Sequence, residues 1–204
     1  MGVQKSKRRG DALAQVRKYN CGPMQSLLIL CGQEGTGKST VAKAITEYLR
    51  NGASFDAENM LQVNPFEFND EFQALAIKNS IALIHNFYEA GYETVVAGSF
   101  IGNRNGYDRF RKLLSGKPNI IVVMLTTSKP VRDDRRIKRE KPSCPEWRDA
   151  LDNKYPPDRT LHDSEATGDY RYLEIDNSTL TLQATIEKLR QFAPGLFIKS
   201  NKDY

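Results

Sequence analysis

The stretch Ser26-Leu-Leu-Ile-Leu-Cys-Gly-Gln-Glu-Gly-Thr-Gly-Lys-Ser-Thr40 decides the reading of this chain. Ser26–Cys31 is a continuous apolar run of strand length, the pattern of a strand buried on both faces of a parallel sheet. Gly32-Gln-Glu-Gly-Thr-Gly-Lys-Ser39 then fits Gly-x-x-x-x-Gly-Lys-Ser in full. Its glycines let the backbone wrap so that N–H groups point inward at phosphate oxygens, and the helix that follows adds a favourable dipole. Lys38 is spaced to reach the β- and γ-phosphates and Ser39 to ligate Mg²⁺. Gly32, Gly35, Thr36, Gly37 and Thr40 complete the expected nucleotide site. A chance match would not carry a strand before it and a helix after it, so the chain is read as binding a nucleoside triphosphate, with ATP and GTP both open.

Outward from this loop, strands alternate with helices. A helix is expected from Thr40 to about Arg50, a short strand at Ala53–Phe55 and a helix over Glu71–Ala90 closed by Gly91. Thr94–Ala97 reads as a third strand, Tyr107–Leu114 as a helix and Asn119–Leu125 as a fourth strand. A charged helix follows at Lys129–Lys141, then an irregular segment over 142–170 with a short helix near Glu146–Leu151. A fifth strand (Tyr172–Ile175) and a last helix (Leu182–Phe192) complete an α/β domain with a mostly parallel sheet. Residues 1–25 read as an N-terminal extension, with a short helix at Asp11–Tyr19, and 26–204 as one domain.

The chain has 204 residues, 39% of them hydrophobic and 27% charged, an ordinary globular composition that excludes wholesale disorder. No apolar run approaches the ~20 residues of a membrane span, and no signal-peptide stretch is seen, so a soluble, cytoplasmic protein is expected. Cys21, Cys31 and Cys144 share no metal-ligand spacing with His85 and His162. The net charge of +5 is uneven: residues 1–25 hold six basic side chains against one acid. Residues 51–100 hold one Lys against seven acids, and 101–148 thirteen Lys/Arg against five acids. The basic blocks suit a polyanion such as nucleic acid, or equally a solvated tail and the phosphates of one nucleotide.

Neither the third nor the fourth expected strand ends in an acid, which argues against a hydrolytic switch or motor. The early strand-end acids are Asp56 and Glu58, at the sheet edge where ligands of parallel sheets gather. Asp56 there suits a base that accepts a proton from a substrate hydroxyl, and Glu58 a substrate contact; both also suit helix capping. In the charged helix, Arg135 and Arg139 share one face, and Arg132 and Arg136 a neighbouring stripe. Guanidinium groups so spaced can close over a transferring phosphoryl group, unless Asp133 and Asp134 tie them into surface ion pairs.

With these motifs placed, residues 26–193 resemble the small P-loop kinases. The Phe55-Asp-Ala-Glu-Asn59 segment is similar to the acidic acceptor motif of shikimate and adenylylsulfate kinases, with Glu58 in place of the usual second Asp. Gly98–Arg111 is similar to the segment after the third strand in adenylylsulfate and gluconate kinases. Lys138–Trp147 resembles the basic lid of the 5′-kinase domain of polynucleotide kinases, although Gly98 and Ser99 stand where that family has Asp-Thr-Asn. Glu174-Ile-Asp-Asn-Ser-Thr179 resembles the loop flanking adenine, which implies Asp176 as a nucleotide contact. The resemblance implies a P-loop NTPase three-layer sandwich with a five-stranded sheet and an Arg-rich lid over about 128–168. It also implies ATP with Mg²⁺ as donor, Lys38, Asp56, Arg135 and Arg139 as catalytic groups, and Arg104, Arg109 and Arg111 on the acceptor side.

The leading expectation for the acceptor is a hydroxyl of nucleic acid or a nucleoside, with Phe66, Phe68, Tyr107 and Trp147 available to stack on bases. A small metabolite is the alternative, as for a sugar-acid, antibiotic or adenylylsulfate kinase. A nucleotide-binding regulator without phosphoryl transfer is the third reading.

Overall fold

The computed structural model describes residues 25–67, 69–139 and 144–198. The basic head, its expected helix at Asp11–Tyr19, Cys21 and Phe68 lie outside the described residues, as do positions 140–143 of the charged segment. Five strands form one sheet: β1 (Ser26–Cys31), β2 (Gly52–Asp56), β3 (Thr94–Gly98), β4 (Asn119–Thr126) and β5 (Arg171–Asp176). Their order is β2-β3-β1-β4-β5 and every pairing is parallel, beyond the mostly parallel sheet expected. β1 is therefore central, which explains its unbroken apolar run: neighbouring strands cover both edges and helices cover both faces.

Among the described residues, six helices lie between the strands and a seventh follows β5: α1 (Lys38–Thr46), α2 (Asp70–Glu89), α3 (Arg104–Leu113), α4 (Lys129–Ile137), α5 (Pro145–Lys154), α6 (Thr160–Asp163) and α7 (Leu182–Phe192). Side-chain alternation along the strands divides the core into two layers. Leu27, Ile29 and Cys31 of β1 pack with Ile77, Ile81 and Ile84 of α2 and Tyr107 and Phe110 of α3. Leu28 and Leu30 pack on the opposite face with Val41 and Ile45 of α1 and Leu189 of α7. The result is a helix–sheet–helix sandwich.

Several elements differ from expectation: α1 runs from Lys38 to Thr46 rather than from Thr40 to about Arg50, and α6 lies in the segment read as irregular. The helix α3 begins at Arg104 rather than Tyr107, because Asn103 Oδ1 accepts from the Gly106 amide (2.9 Å) and caps it despite the interior glycine. The charged helix ends at Ile137, short of Lys141. Its buried residues are Arg132 and Arg136, and Ile137, Lys138 and Arg139 are exposed, so no packing supports a further turn. No helix among the described residues is long and apolar enough to cross a membrane.

Candidate functional site

The loop after β1 turns through three glycines with left-handed backbone, Gly32 (φ 137°), Gly35 (φ 83°) and Gly37 (φ 92°). Two of them also lack room for a side chain. A Cβ on Gly32 would lie 2.4 Å from the Leu125 carbonyl oxygen, and one on Gly35 2.9 Å from the Arg132 carbonyl oxygen. Close packing under β4 and α4 therefore sets the loop's shape. Lys38, buried at the first position of α1, folds back and donates to the carbonyls of Gly32 (2.8 Å) and Gln33 (3.2 Å). Its ammonium is thereby held inside the curve of the loop. Ser39 and Thr40 stand exposed on the first turn of α1.

Asp56 ends β2, two strands from β1, yet one carboxylate oxygen accepts a hydrogen bond from the Ser39 hydroxyl. The other accepts from the Glu58 amide (3.1 Å), which caps the short turn Ala57–Asn59. Capping and site placement are thus compatible at Asp56. Glu58 projects at the same edge and remains exposed to solvent. Partial desolvation in the cleft raises its carboxyl pKa; Lys38 and Arg139 oppose the rise, while Asp56 and Glu34 reinforce it.

The four arginines of α4 divide into two pairs. Arg132 and Arg136 are 5% and 1% exposed and share Asp152 of α5, Arg132 Nη1 at 2.7 Å and Arg136 Nη2 at 2.9 Å. These arginines fasten α5 to α4, and the partner that decides this, Asp152, lies beyond the helix itself. Asp133 pairs with Lys129, Arg136 and Arg148, and Asp134 with Lys138. All four also touch the phosphate loop, Arg132 at the Glu34 carbonyl (3.5 Å) and Arg136 at the Glu34 carboxylate (3.5 Å), but Arg135 and Arg139 have no partner on α5 among the described residues. Arg135 Nη1 donates to the carbonyls of Gly35 and Thr36 (both 3.4 Å), and Arg139 pairs with Glu34 of the loop (3.0 Å).

Asp176 ends β5 as an exposed residue whose carboxylate accepts from the Ser178 hydroxyl and amide, holding its pKa down. The residue that reaches the loop from this strand is its neighbour Asn177, which sequence reasoning missed. Asn177 is 4% exposed, donates from Nδ2 to the Thr36 carbonyl (2.8 Å) and accepts at Oδ1 from Arg135 (3.1 Å) and the Thr127 hydroxyl. The signal is its position one residue past a parallel strand's C-terminal end, beside Asp176.

The three acceptor-side arginines are all engaged with carboxylates. Arg104, at the start of α3, pairs with Asp108 (2.8 Å) and lies over the rings of Tyr107 and Tyr170. Arg109 faces Asp70 (3.5 Å). Arg111, in the last turn of α3, pairs with Asp169 (3.3 Å) just before β5, at the sheet end opposite the phosphate loop. Of the aromatic residues, Tyr107 is fully buried in the core, whereas Phe66 and Trp147 are exposed. Cys31 is a buried core residue; desolvation pushes its thiol to about 12, against a smaller opposing effect of Lys38.

No protein-family model and no curated protein matches this chain. Solved structures do. A sugar kinase from Janibacter sp. HTCC2649 superposes with a TM-score of 0.62 at 16% identity, over 85% of this chain and 99% of that one. A gluconokinase from Sinorhizobium meliloti 1021 gives 0.57 at 17% identity, over 87% and 97%. A shikimate kinase from Acinetobacter baumannii, in complex with shikimate, gives 0.50 at 16% identity, over 85% and 95%. The fold is that of the small P-loop kinases. In this frame the phosphate loop, Asp56 and Glu58 at the end of β2, and Arg135 and Arg139 on α4 meet along the C-terminal edge of the sheet, where parallel α/β sheets bind ligands.

Proposed function

We propose that this chain is an ATP-dependent phosphotransferase that moves the γ-phosphate to a hydroxyl of a small molecule. The hydrogen bond from Ser39 to Asp56 carries the proposal. It brings a hydroxyl on the phosphate-loop helix and a carboxylate from β2 together beside Lys38, the layout a transfer reaction needs. The hard oxygen of Ser39 suits Mg²⁺, which keeps several waters and takes one or two protein ligands together with substrate phosphates. Held there with ATP, Mg²⁺ would offset the negative charge that develops on the transferring phosphoryl group.

Within that reading, the loop amides and Lys38 hold the phosphates. Asp56 accepts the proton of the acceptor hydroxyl as its oxygen attacks phosphorus. Arg135 and Arg139 supply positive charge from a lid over 128–168, where exclusion of water limits wasteful hydrolysis. Asn177 and Asp176 border the nucleotide from the end of β5.

A small acceptor is favoured over nucleic acid. Much of the basic block that suggested a polyanion is engaged within the fold: Arg104, Arg109, Arg111, Arg132, Arg136 and Arg148 each pair with a carboxylate. The neighbours named as sugar kinase, gluconokinase and shikimate kinase support the same direction. The test is label transfer from γ-labelled ATP with Mg²⁺ to a panel of polyols, sugars, nucleosides and oligonucleotides. Lys38→Ala should abolish transfer; near-normal turnover in that variant would refute the assignment. Label appearing on oligonucleotides alone would restore the nucleic-acid reading.

A further inference from the structure

We infer that Glu34 is a positioning residue of the transfer reaction: its carboxylate holds Arg139 over the phosphate loop. The inference rests on the phosphotransferase reading and starts from a charge that phosphate binding does not call for. Between Gly32 and Gly37 such a loop works through its backbone amides, and Lys38 supplies the cation. Glu34 adds an anion to a cradle for anions, which opposes ATP binding unless the charge serves another step.

The two carboxylate oxygens of Glu34 meet two unlike arginines. Oε1 accepts from Arg139 Nη1 at 3.0 Å. Arg139 lies two residues past the end of α4, its side chain is 48% exposed, and Glu34 is its one ion-pair partner among the described residues. The direction of this guanidinium therefore depends on Glu34. Their bond takes one of five guanidinium donors and leaves others for phosphoryl oxygens.

Oε2 is buried and lies 3.5 Å from Nε of Arg136. Arg136 is itself 1% exposed and fixed by Asp133 (3.2 Å) and Asp152 (2.9 Å). Neither Glu34 Oε2 nor Arg136 Nε has a hydrogen-bond partner. Two buried atoms of opposite charge this close without a bond mark a contact poised to tighten, as hydrogen bonds of a reaction site do when substrate binds. The backbone that carries Glu34 is anchored as well: the Gln33 side chain donates to the Tyr155 carbonyl (2.9 Å) and Arg132 to the Glu34 carbonyl (3.5 Å). A chain of alternating charge thus runs from Asp152 through Arg136 and Glu34 to Arg139, rigid at its inner end and open at the cleft. Its outer end is felt at the acceptor edge. Burial raises the Glu58 pKa, and both members of the outer pair act on that carboxyl, Glu34 raising and Arg139 lowering it.

The test uses the full chain with γ-labelled ATP and Mg²⁺, with glycerol, glucose and gluconate as acceptors and water in their absence. Glu34→Gln keeps the shape of the side chain and removes its charge. It should lower kcat by about tenfold, the scale of one charge-assisted hydrogen bond, while ATP affinity in equilibrium titration holds or rises because a like charge has gone. In an Arg139→Ala background the same substitution should leave kcat unchanged within about twofold, since Glu34 acts through Arg139. The inference is overturned by unchanged kcat in both Glu34→Gln and Glu34→Ala, by a loss that persists without Arg139, or by a fall in ATP affinity as large as the fall in kcat. Each of these leaves the phosphotransferase reading standing. No label on any acceptor or on released phosphate overturns that reading itself.

Discussion

Asn177→Ala probes how the far edge of the sheet shapes the nucleotide loop. The amide is buried and makes three side-chain bonds: to the Thr36 carbonyl (2.8 Å), from Arg135 Nη1 (3.1 Å) and from the Thr127 hydroxyl. Each is worth about 1 kcal/mol net, so the substitution should cost roughly 3 kcal/mol, more where the Thr36 carbonyl is left without a donor. In a domain of this size that corresponds to a melting shift of roughly 6–12 °C downward. Function should suffer separately. Asn177 ties β5 to the peptide before Gly37 and also orients Arg135, so its loss should loosen the loop and weaken ATP binding. Asn177→Asp separates the two effects: the Oδ1 contacts persist, but the Thr36 carbonyl faces a carboxylate and the mouth gains negative charge. That variant should therefore lose more ATP affinity than stability. Thermal unfolding with and without ATP, joined to equilibrium titration of nucleotide, reads both quantities. An Asn177→Ala protein with native melting and native ATP affinity would show that the loop does not depend on β5.

Three further outcomes are expected. Asp56→Asn should lower turnover by roughly 10²–10⁴ with little change in ATP affinity, measured by steady-state kinetics and titration; an unchanged rate would transfer the base role to another group. Asp152→Ala leaves two buried guanidinium groups short of their shared partner and should destabilise by about 3–5 kcal/mol in denaturant titrations, a cost a surface ion pair would not show. Although desolvation works against it, the arginines hold the Asp152 carboxyl below its usual range. Its stabilisation should therefore be complete above about pH 4 and fade as pH falls below that, a loss absent from the variant. Gly32→Ala forces a Cβ to within 2.4 Å of the Leu125 carbonyl oxygen and should abolish ATP binding while native-like circular dichroism is retained; tight binding by this variant would mean the loop deforms freely.

Much of the fold was legible because it follows from local periodicity. β1 and β4 advertise double-sided burial by continuous apolar runs, α2 shows a helical stripe, and α7 falls on Leu182–Phe192 as read. The phosphate loop was legible because its chemistry needs fixed residue types at fixed spacing. The roles of the α4 arginines were not. Spacing places Arg132 with Arg136 and Arg135 with Arg139, but which pair is tied to α5 depends on Asp152, a residue of another helix. The acceptor-side arginines failed to separate for a similar reason: Asp169 and Asp70 are remote in sequence from the residues they neutralise. Asn177 escaped because strand alternation says little about the residue just past a strand's end. Its amide bonds the Thr126 carbonyl (2.9 Å), extends the β4 register by one residue and so brings the side chain to the loop.

The central position of β1 also bears on synthesis. Ser26 aligns with Thr94 on one side and Asn119 on the other, so the strand carrying the nucleotide loop emerges long before either neighbour exists. At about 5–20 residues per second, the ribosome leaves this apolar ribbon without sheet partners for several seconds. A nascent chain halted before β3 would expose Leu27–Cys31 with both edges unpaired, a ready substrate for chaperones. Nucleotide would then gain a grip on the polypeptide only late in its elongation, once β4 has closed the second edge and the carbonyl of Leu125 underlies Gly32.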